Sequence, residues 1–234
     1  VWNAGRPDGV APVRIAADRT LPPGTLEVGY RFARTEAKGL KFGTESYTEL
    51  DALDLFDFIP INRANEAHLV TIGVGLTDAV TLMASGGWVS KVREGINEDT
   101  YFSNESSGIT DIEVDALWQV VQSGPWRAHL QLGFTAPVGS VEARGDFPQT
   151  ADVVLPYDMQ IGTGSWAIVP ALGGQVMNER GSVGGQLRAV FSVNDNNRDY
   201  RPGTVVDARA WGAVRFNDFI SASAGVRAVA VEAI

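Results

Sequence analysis

The sequence predicts an all-β fold, an antiparallel transmembrane β-barrel of the bacterial outer-membrane type. Nine stretches alternate apolar and polar side chains, which is the period-two pattern of a strand with two different faces. The links between these stretches alternate long and short, so large loops lie at one end of the strands and tight turns at the other. Aromatic side chains cluster beside the tight turns, where a membrane-interface belt would lie. Together these features indicate an outer-membrane barrel.

The nine predicted strands follow one another along the chain. The first places Leu26 and its alternate neighbours on one face, and Glu27 and Arg31 on the other. The apolar faces of the others start at Val70, Val80, Ile112, Ala128, Ile168, Leu187, Val206 and Ile220. The long links are roughly residues 35–65, 93–109, 140–162 and 194–203. The tight turns are Thr77-Asp78, Ser123-Gly124-Pro125, Asn178-Glu179-Arg180-Gly181 and Asn217-Asp218.

Alternation also fits a soluble sandwich or a lipocalin-like barrel, in which the apolar face points inward. Three observations favour the membrane arrangement. The polar faces carry many charges, whereas the apolar faces are rich in Ala, Val and Leu. Only one set of links is long. The aromatic residues that flank tight turns are Trp118, Trp126, Phe216 and Phe219.

One domain is the simplest organisation for 234 residues with an unbroken pattern. Residues 1–23, rich in Pro and Gly, are predicted to form a periplasmic N-terminal segment, either folded into the lumen or tethered outside it. Residues 24–234 are predicted to form the barrel. Bacterial single-chain barrels have even strand numbers, so a count of nine predicts that C-terminal strands are missing from this sequence. Alternatively, residues 1–23 or a loop supply a tenth strand, or a partner chain covers the open edge.

The composition excludes several functional classes. A net charge of −9 without a basic stripe argues against nucleic acid as a partner. The absence of Cys excludes disulfides and thiolate metal sites. There are only two His and no G-x-S-x-G sequence, so no enzyme is predicted. Neither a cofactor nor a metal site is predicted.

The candidate site consists of polar side chains on the predicted lumen faces. Three carboxylates, Asp111, Glu113 and Asp115, share one face of a single strand. The other predicted pore-lining residues are Arg127, His129, Gln131, Arg188, Arg209 and Arg227. Rings of charged side chains select permeants in porin-type pores. The alternative is an ion-paired network that braces the barrel interior, and both roles are compatible.

The first long link contains Leu50, Leu53 and Phe56 at a spacing of three residues. This spacing predicts a short amphipathic turn of helix. Its apolar side is expected to fold into the barrel mouth as a constriction or lid.

A second motif lies in the third long link and the strand after it. Leu155-Pro156-Tyr157-Asp158-Met159-Gln160 is followed by Gly162-Thr163-Gly164 and by a strand that contains Pro170. This signature resembles one in outer-membrane transporters related to the phenol meta-pathway degradation proteins. Segments 7–12, 210–213 and 216–219 are also similar, so the resemblance spans most of the chain. It implies a transporter barrel of about twelve strands. Pro170 cannot donate a ladder hydrogen bond, which predicts a bulge or a local break there.

These observations predict a location in the bacterial outer membrane, in contact with membrane lipid and lipopolysaccharide. The resemblance implies passive transport of small hydrophobic or aromatic molecules. One alternative is a structural or interaction barrel that acts as a subunit of a larger envelope assembly without transport. Another is a soluble secreted β-sandwich that binds a ligand. Conductance in planar bilayers separates the transporter from the structural barrel. Dependence on detergent for extraction separates the soluble sandwich from both membrane proteins.

Overall fold

The computed structural model describes residues 6–12, 15–42, 44–56, 58–97 and 100–232. Its strands are β1 (Leu26–Lys38), β2 (Leu40–Phe42), β3 (Glu45–Tyr47), β4 (Phe58–Gly75), β5 (Val80–Asn97), β6 (Thr100–Ile109), β7 (Ile112–Ser123), β8 (Trp126–Ala136), β9 (Arg144–Phe147), β10 (Thr150–Val154), β11 (Ala167–Met177), β12 (Gly181–Ser192), β13 (Val205–Arg215) and β14 (Ser221–Val231). Helix α1 (Glu49–Leu53) and a 3₁₀ turn, η1 (Tyr157–Met159), are the helical elements of the described residues.

One antiparallel sheet contains all nine predicted strands, and the predicted all-β antiparallel fold is confirmed. The strand order is β1-β4-β5-β7-β8-β11-β12-β13-β14, with β6 as a tenth strand on β5. Each strand between the two ends of this path is therefore hydrogen-bonded to the strands before and after it in the order given. Within the described residues, β1 and β14 each pair with a single strand, and the sheet curls into a half-barrel.

The prediction of a long link over residues 93–109 is wrong. Strand β5 continues to Asn97, and β6 returns along it from Thr100 to Ile109. This hairpin extends past the apolar band, so it carries no series of lipid-facing apolar residues that would mark it as a strand. Two other predicted long links also contain strands. β1 and β4 extend into residues 35–65, and the β9–β10 hairpin lies within residues 140–162.

The apolar faces of the sheet point outward. On β8, Leu132 is 49% exposed, whereas its neighbour Gln131 is only 6% exposed. This is the reverse of a soluble barrel and matches a lipid-facing band around a polar interior. Large aromatic residues mark the two ends of the band: Trp118, Trp126, Phe216 and Phe219 beside the tight turns, and Trp88 and Trp166 towards the opposite end. Among the described residues there is no helix with the length and apolarity to cross a bilayer.

Pro170 interrupts one side of β11, as its missing N–H predicts. It is paired with Leu132 of β8, but the pairing of β11 with β12 stops after Ile168 and resumes at Ala171. The register is the same on both sides of the gap, so the accommodation is a local break and not a bulge.

Helix α1 lies where the spacing of leucines predicts a helical turn. Thr48 caps it, since its hydroxyl accepts a hydrogen bond from the Asp51 backbone N–H at 3.2 Å and its own backbone N–H is bound by the Asp51 carboxylate. Leu50 and Phe56 are nevertheless exposed. The expectation that this turn packs into the barrel mouth is therefore wrong.

Adjacent residues of β4 test the inside-out arrangement. Ile72 is exposed on the outer face, and Thr71 lines the lumen. We expect I72R to lower the free energy of unfolding from lipid vesicles by about 2–4 kcal/mol, because its guanidinium would lie in hydrocarbon. The matched variant T71R should lower the free energy of unfolding much less, since the lumen is polar. Urea titrations followed by tryptophan fluorescence measure both, and equal losses would contradict the outward assignment of Ile72.

Candidate functional site: a lumen covered at both ends

The N-terminal segment lies against the lumen face of the sheet. Ser221 of β14 donates to the carbonyl of Pro7 at 2.8 Å, and Ser182 of β12 donates to that of Asp8 at 2.5 Å. At the other end of the segment, the Leu21 backbone N–H donates to Thr81 Oγ1 of β5 at 2.7 Å. The segment therefore crosses the interior from the last strands of the sheet to the first. These strand residues lie next to the tight turns, so the segment covers the half of the lumen at that end, which is the periplasmic end in bacterial outer-membrane barrels.

Ala17 is the point at which the segment is held most closely. Its carbonyl accepts hydrogen bonds from His129 Nε2 at 3.0 Å and from Gln186 Nε2 at 3.1 Å. The Ala17 side chain packs with Met83 and Leu117 in a small buried apolar cluster. Ala17 has a φ of 54°, a left-handed backbone conformation that costs free energy for a residue other than glycine. The surrounding hydrogen bonds and packing offset that cost.

The opposite mouth is covered by the long loop between β8 and β11. Lys91 of β5 donates to the backbone carbonyls of Asp158 and Gln160 at 3.0 and 2.5 Å. Ser106 of β6 donates to the Met159 carbonyl at 2.6 Å. These contacts hold η1 against the inner face of the sheet, where β4, β5 and β6 extend past the apolar band.

Ion pairs and an apolar core strengthen this outer cover. Asp158 pairs with Arg63 at 2.6 Å and with Arg93 at 3.5 Å. Beneath the β9–β10 hairpin, Met159 is buried, and the rings of Phe102 and Phe147 pack with their centroids 5.1 Å apart. The signature around residues 155–160 therefore has a structural role in covering the mouth.

Asp111 belongs to this outer cover. Its carboxylate accepts hydrogen bonds from the Gly139 backbone N–H at 2.9 Å and from the Thr163 backbone N–H and hydroxyl at 2.8 and 2.7 Å. Gly162 packs so closely here that a Cβ atom on it would lie 2.3 Å from the Gly139 carbonyl oxygen. The Gly-Thr-Gly turn thus needs glycine at residue 162, where the loop crosses back to start β11.

Between the two covers lies a central cavity of about 230 Å³. Glu113 and Arg188 form an ion pair on its wall. Asp115 accepts a hydrogen bond from the Gln131 side-chain amide at 2.7 Å. Further lining residues are Ala16, Ala17, Arg31, Thr71, Met83, Ser85, Gln186 and Arg209. A smaller inner cavity of about 140 Å³ lies on the periplasmic side of the segment and is lined by Arg127, His129 and Gln175, among others.

The structure brings together five of the nine predicted pore-lining residues. Glu113, Asp115, Gln131, Arg188 and Arg209 all line the central cavity.

The other four predicted residues lie apart from that group. Arg127 and His129 border the inner cavity, and Asp111 lies in the outer cover. Arg227 of β14 is bound to Asp207, with its Nη2 at 2.8 Å from a carboxylate oxygen. Their role in lining a conducting pore stays a prediction.

Sequence reasoning missed several residues of the site. Asp207 is buried, and it binds Arg209 at 2.6 Å as well as Arg227. Gln186 shares the polar face of β12 with Arg188, so strand phase could have found it. Ala16 and Ala17 lie in a segment without period-two alternation, so the sequence pattern could not predict that they face the lumen.

Residues 52–227 match the protein family described as "Putative MetA-pathway of phenol degradation". The chain belongs to this family. The resemblance seen in the sequence is thereby confirmed. None of the curated proteins compared with the chain matches it.

Among solved structures, the chain is similar to the crystal structure of an outer membrane channel from Pseudomonas putida F1. The TM-score is 0.59 at 14% sequence identity, and the match covers 92% of this chain and 75% of that chain. The likeness establishes the fold, an outer-membrane β-barrel. With the outward apolar band and the family match, the predicted location in the bacterial outer membrane is confirmed.

Cysteine labelling tests the outer cover, because the chain contains no cysteine of its own. Met159 is 1% exposed and Tyr157 is 65% exposed. On intact cells, M159C should therefore react slowly with a membrane-impermeant maleimide, whereas Y157C reacts quickly as the matched control. Adding D158N to M159C removes the charge held by Arg63 and Arg93 and should accelerate labelling by about tenfold. Fast labelling of M159C alone would contradict a covered outer mouth.

Proposed function

We propose that the protein is a passive outer-membrane channel for small hydrophobic or aromatic molecules and has no enzymatic activity. The observation that carries the proposal is the central cavity, which lies on the concave, polar side of the lipid-facing sheet, between the two covers. The covers are made of a terminal segment and a loop, elements that can move without disturbing the hydrogen bonds of the sheet. The substrate class follows from the family description and from the channel seen in the Pseudomonas putida relative.

The lumen chemistry supports transport over catalysis. His129, the histidine inside the lumen, is bound to a backbone carbonyl and has no serine nucleophile among its hydrogen-bonding partners in the described residues. The described part of the chain also contains no group of three or more His, Cys, Asp or Glu side chains placed to hold a metal ion. The polar groups of the wall bind one another and the N-terminal segment.

The partners proposed for the protein are those of the membrane. Membrane lipid contacts the apolar band, and lipopolysaccharide contacts the outer rim. Within the described residues β1 and β14 each pair on one side only, and backbone groups in hydrocarbon require partners, so we propose that another chain covers these edges. No nucleic acid is proposed as a partner.

Uptake of N-phenyl-1-naphthylamine, a fluorescent aromatic compound that an intact outer membrane largely excludes, tests the function. Cells that express the protein should take up the probe several times faster than cells without it. T71W places a large ring in the central cavity and should abolish the gain, whereas I72W, on the lipid-facing side of the same strand, should retain it. Uptake that stays at the background rate while the protein is present in the outer membrane would favour the structural barrel.

Planar-bilayer conductance tests whether the N-terminal segment restricts the lumen. Q186A removes the two side-chain hydrogen bonds to the carbonyls of Ala16 and Ala17. Each such bond contributes about 1 kcal/mol, so the segment should leave its site more often and the mean conductance should rise. Q175A is the matched control, because the Gln175 amide has no hydrogen-bond partner among the described residues. Equal conductance of Q186A and the unmodified protein would contradict this restriction.

A further inference from the structure

The outer cover places one carboxylate among three cations of the sheet. Arg63 of β4 and Arg93 of β5 lie directly opposite each other in the strand ladder, and each binds a different oxygen of the Asp158 carboxylate. Lys91, two residues before Arg93 on the same face of β5, binds two backbone carbonyls of the cover instead. In the described part of the chain the two arginines form no other ion pair, and Lys91 forms none. This cationic cluster of Arg63, Lys91 and Arg93 therefore has more positive charge than Asp158 neutralises.

Asp158 satisfies Arg93 incompletely. The distance between Asp158 Oδ1 and Arg93 Nη1 is 3.5 Å, longer than the ~2.7–2.9 Å of a charge-assisted hydrogen bond. Arg93 Nε is buried and has no hydrogen-bond partner within the described ranges. A guanidinium group binds a carboxylate best through two parallel N–H···O bonds. A carboxylate that is not fixed to the loop can approach Arg93 in that way, so the cluster fits a free carboxylate better than the one the cover supplies.

The surroundings of the cluster are apolar on one side. The guanidinium carbon of Arg93 lies 5.1 Å from the centroid of the Phe58 ring, and that ring lies 5.6 Å from the ring of Phe102. Met159 follows Asp158 in the chain and is buried in the cover. The cover thus brings a carboxylate and an adjoining apolar side chain to this place. An organic monocarboxylate with an apolar body has the same two parts.

The cover holds its own shape without the sheet. The side chain of Gln160 accepts a hydrogen bond from the Ala143 backbone N–H at 2.8 Å and donates one to the Leu155 carbonyl at 2.7 Å. These bonds stay intact if the loop moves away from the cationic cluster as a unit. Such a movement would leave the three cations without an anion, which is costly in a partly buried place. An anion that takes the position of the Asp158 carboxylate would offset that cost.

We propose that the cationic cluster is a binding site for organic monocarboxylates with an apolar body, that Asp158 and Met159 occupy this site while the outer mouth is covered, and that the monocarboxylate displaces the cover by competing with Asp158. This inference rests on the proposed function. It adds the charged group that is recognised at the outer mouth and the residues that recognise it.

A comparison of benzoate with benzamide tests the binding site, because the two share a ring and a planar substituent but only benzoate is charged. The full chain in lipid nanodiscs is titrated by calorimetry, with empty nanodiscs as the reference. Benzoate should bind about tenfold more tightly than benzamide, the factor expected for a hydrogen bond to a charged group. D158N removes the internal competitor and should increase the affinity for benzoate about tenfold further. D152N makes the same change of charge in the same cover, where Asp152 is exposed and paired with Arg144, and should leave the affinity for benzoate unchanged.

Maleimide labelling of M159C on intact cells tests the displacement of the cover. Benzoate in the medium should increase the labelling rate and the increase should saturate, whereas benzamide at the same concentration should have no effect. The ratio of the rates with and without benzoate should fall to one in M159C/R93Q, because the carboxylate loses its site. R201Q removes an arginine that is exposed and paired with Asp195 in another outer loop, so M159C/R201Q should keep the ratio.

Several results would overturn the proposal. Equal affinity for benzoate and benzamide in the unmodified protein would do so without any variant, also if D158N does not fold. An unchanged affinity for benzoate in folded D158N would reject the competition, and binding of benzoate without faster labelling would reject the displacement of the cover. A preference for benzoate without uptake of N-phenyl-1-naphthylamine by cells would uphold the site and reject the channel. Uptake of that probe without a preference for benzoate would reject the site alone.

Discussion

The hydrogen bonds between neighbouring strands are the interaction on which the rest of the structure depends. In hydrocarbon an unpaired backbone N–H or C=O costs several kcal/mol, so every strand within the membrane must lie against another. The ladder from β1 to β4 alone pairs thirteen residues without a register shift. Such continuous pairing fixes the side-chain alternation along each strand. Every second residue then faces lipid and must be apolar, and the residues between face the lumen, where a polar side chain is tolerated.

That arrangement leaves a barrel with little apolar core. The buried apolar cluster beneath the membrane band contains three residues, Ala17, Met83 and Leu117. The interior is held instead by polar contacts. Asp207, for example, is buried between Arg209 and Arg227. The N-terminal segment completes this polar interior because its carbonyl groups accept hydrogen bonds from lumen side chains. Its backbone takes the place that apolar side chains have in a soluble barrel.

The sequence predicts the part of the structure that the membrane constrains. Gln131 and Leu132 fall on the predicted faces because a slip of one residue would expose polar groups to lipid. Outside the membrane this constraint is lost, and β6 was missed because no lipid-facing band requires an apolar residue at every second position of its hairpin. Asp111 shows the same limit within the candidate site. It precedes β7, which starts at Ile112, and its partners, Gly139 and Thr163, come from a loop whose path no periodicity encodes.

The two covers of the lumen are held by different forces, which has consequences for how each would open. The inner cover is held mainly by hydrogen bonds between its backbone and side chains such as Ser182 and Gln186. When it moves, water can replace these bonds one by one, so each contributes only about 1 kcal/mol. The outer cover also buries Met159 and the ring of Phe102. Opening it would expose an apolar core at about 25 cal/mol per Å² and break the ion pairs of Asp158 together. Displacing the inner cover also has an apolar and an ionic cost, because Ala17 packs with Met83 and Leu117, Leu21 is buried, and Arg19 is ion-paired with Glu27. The inner cover lacks the aromatic core of the outer one, and this is the physical difference between them.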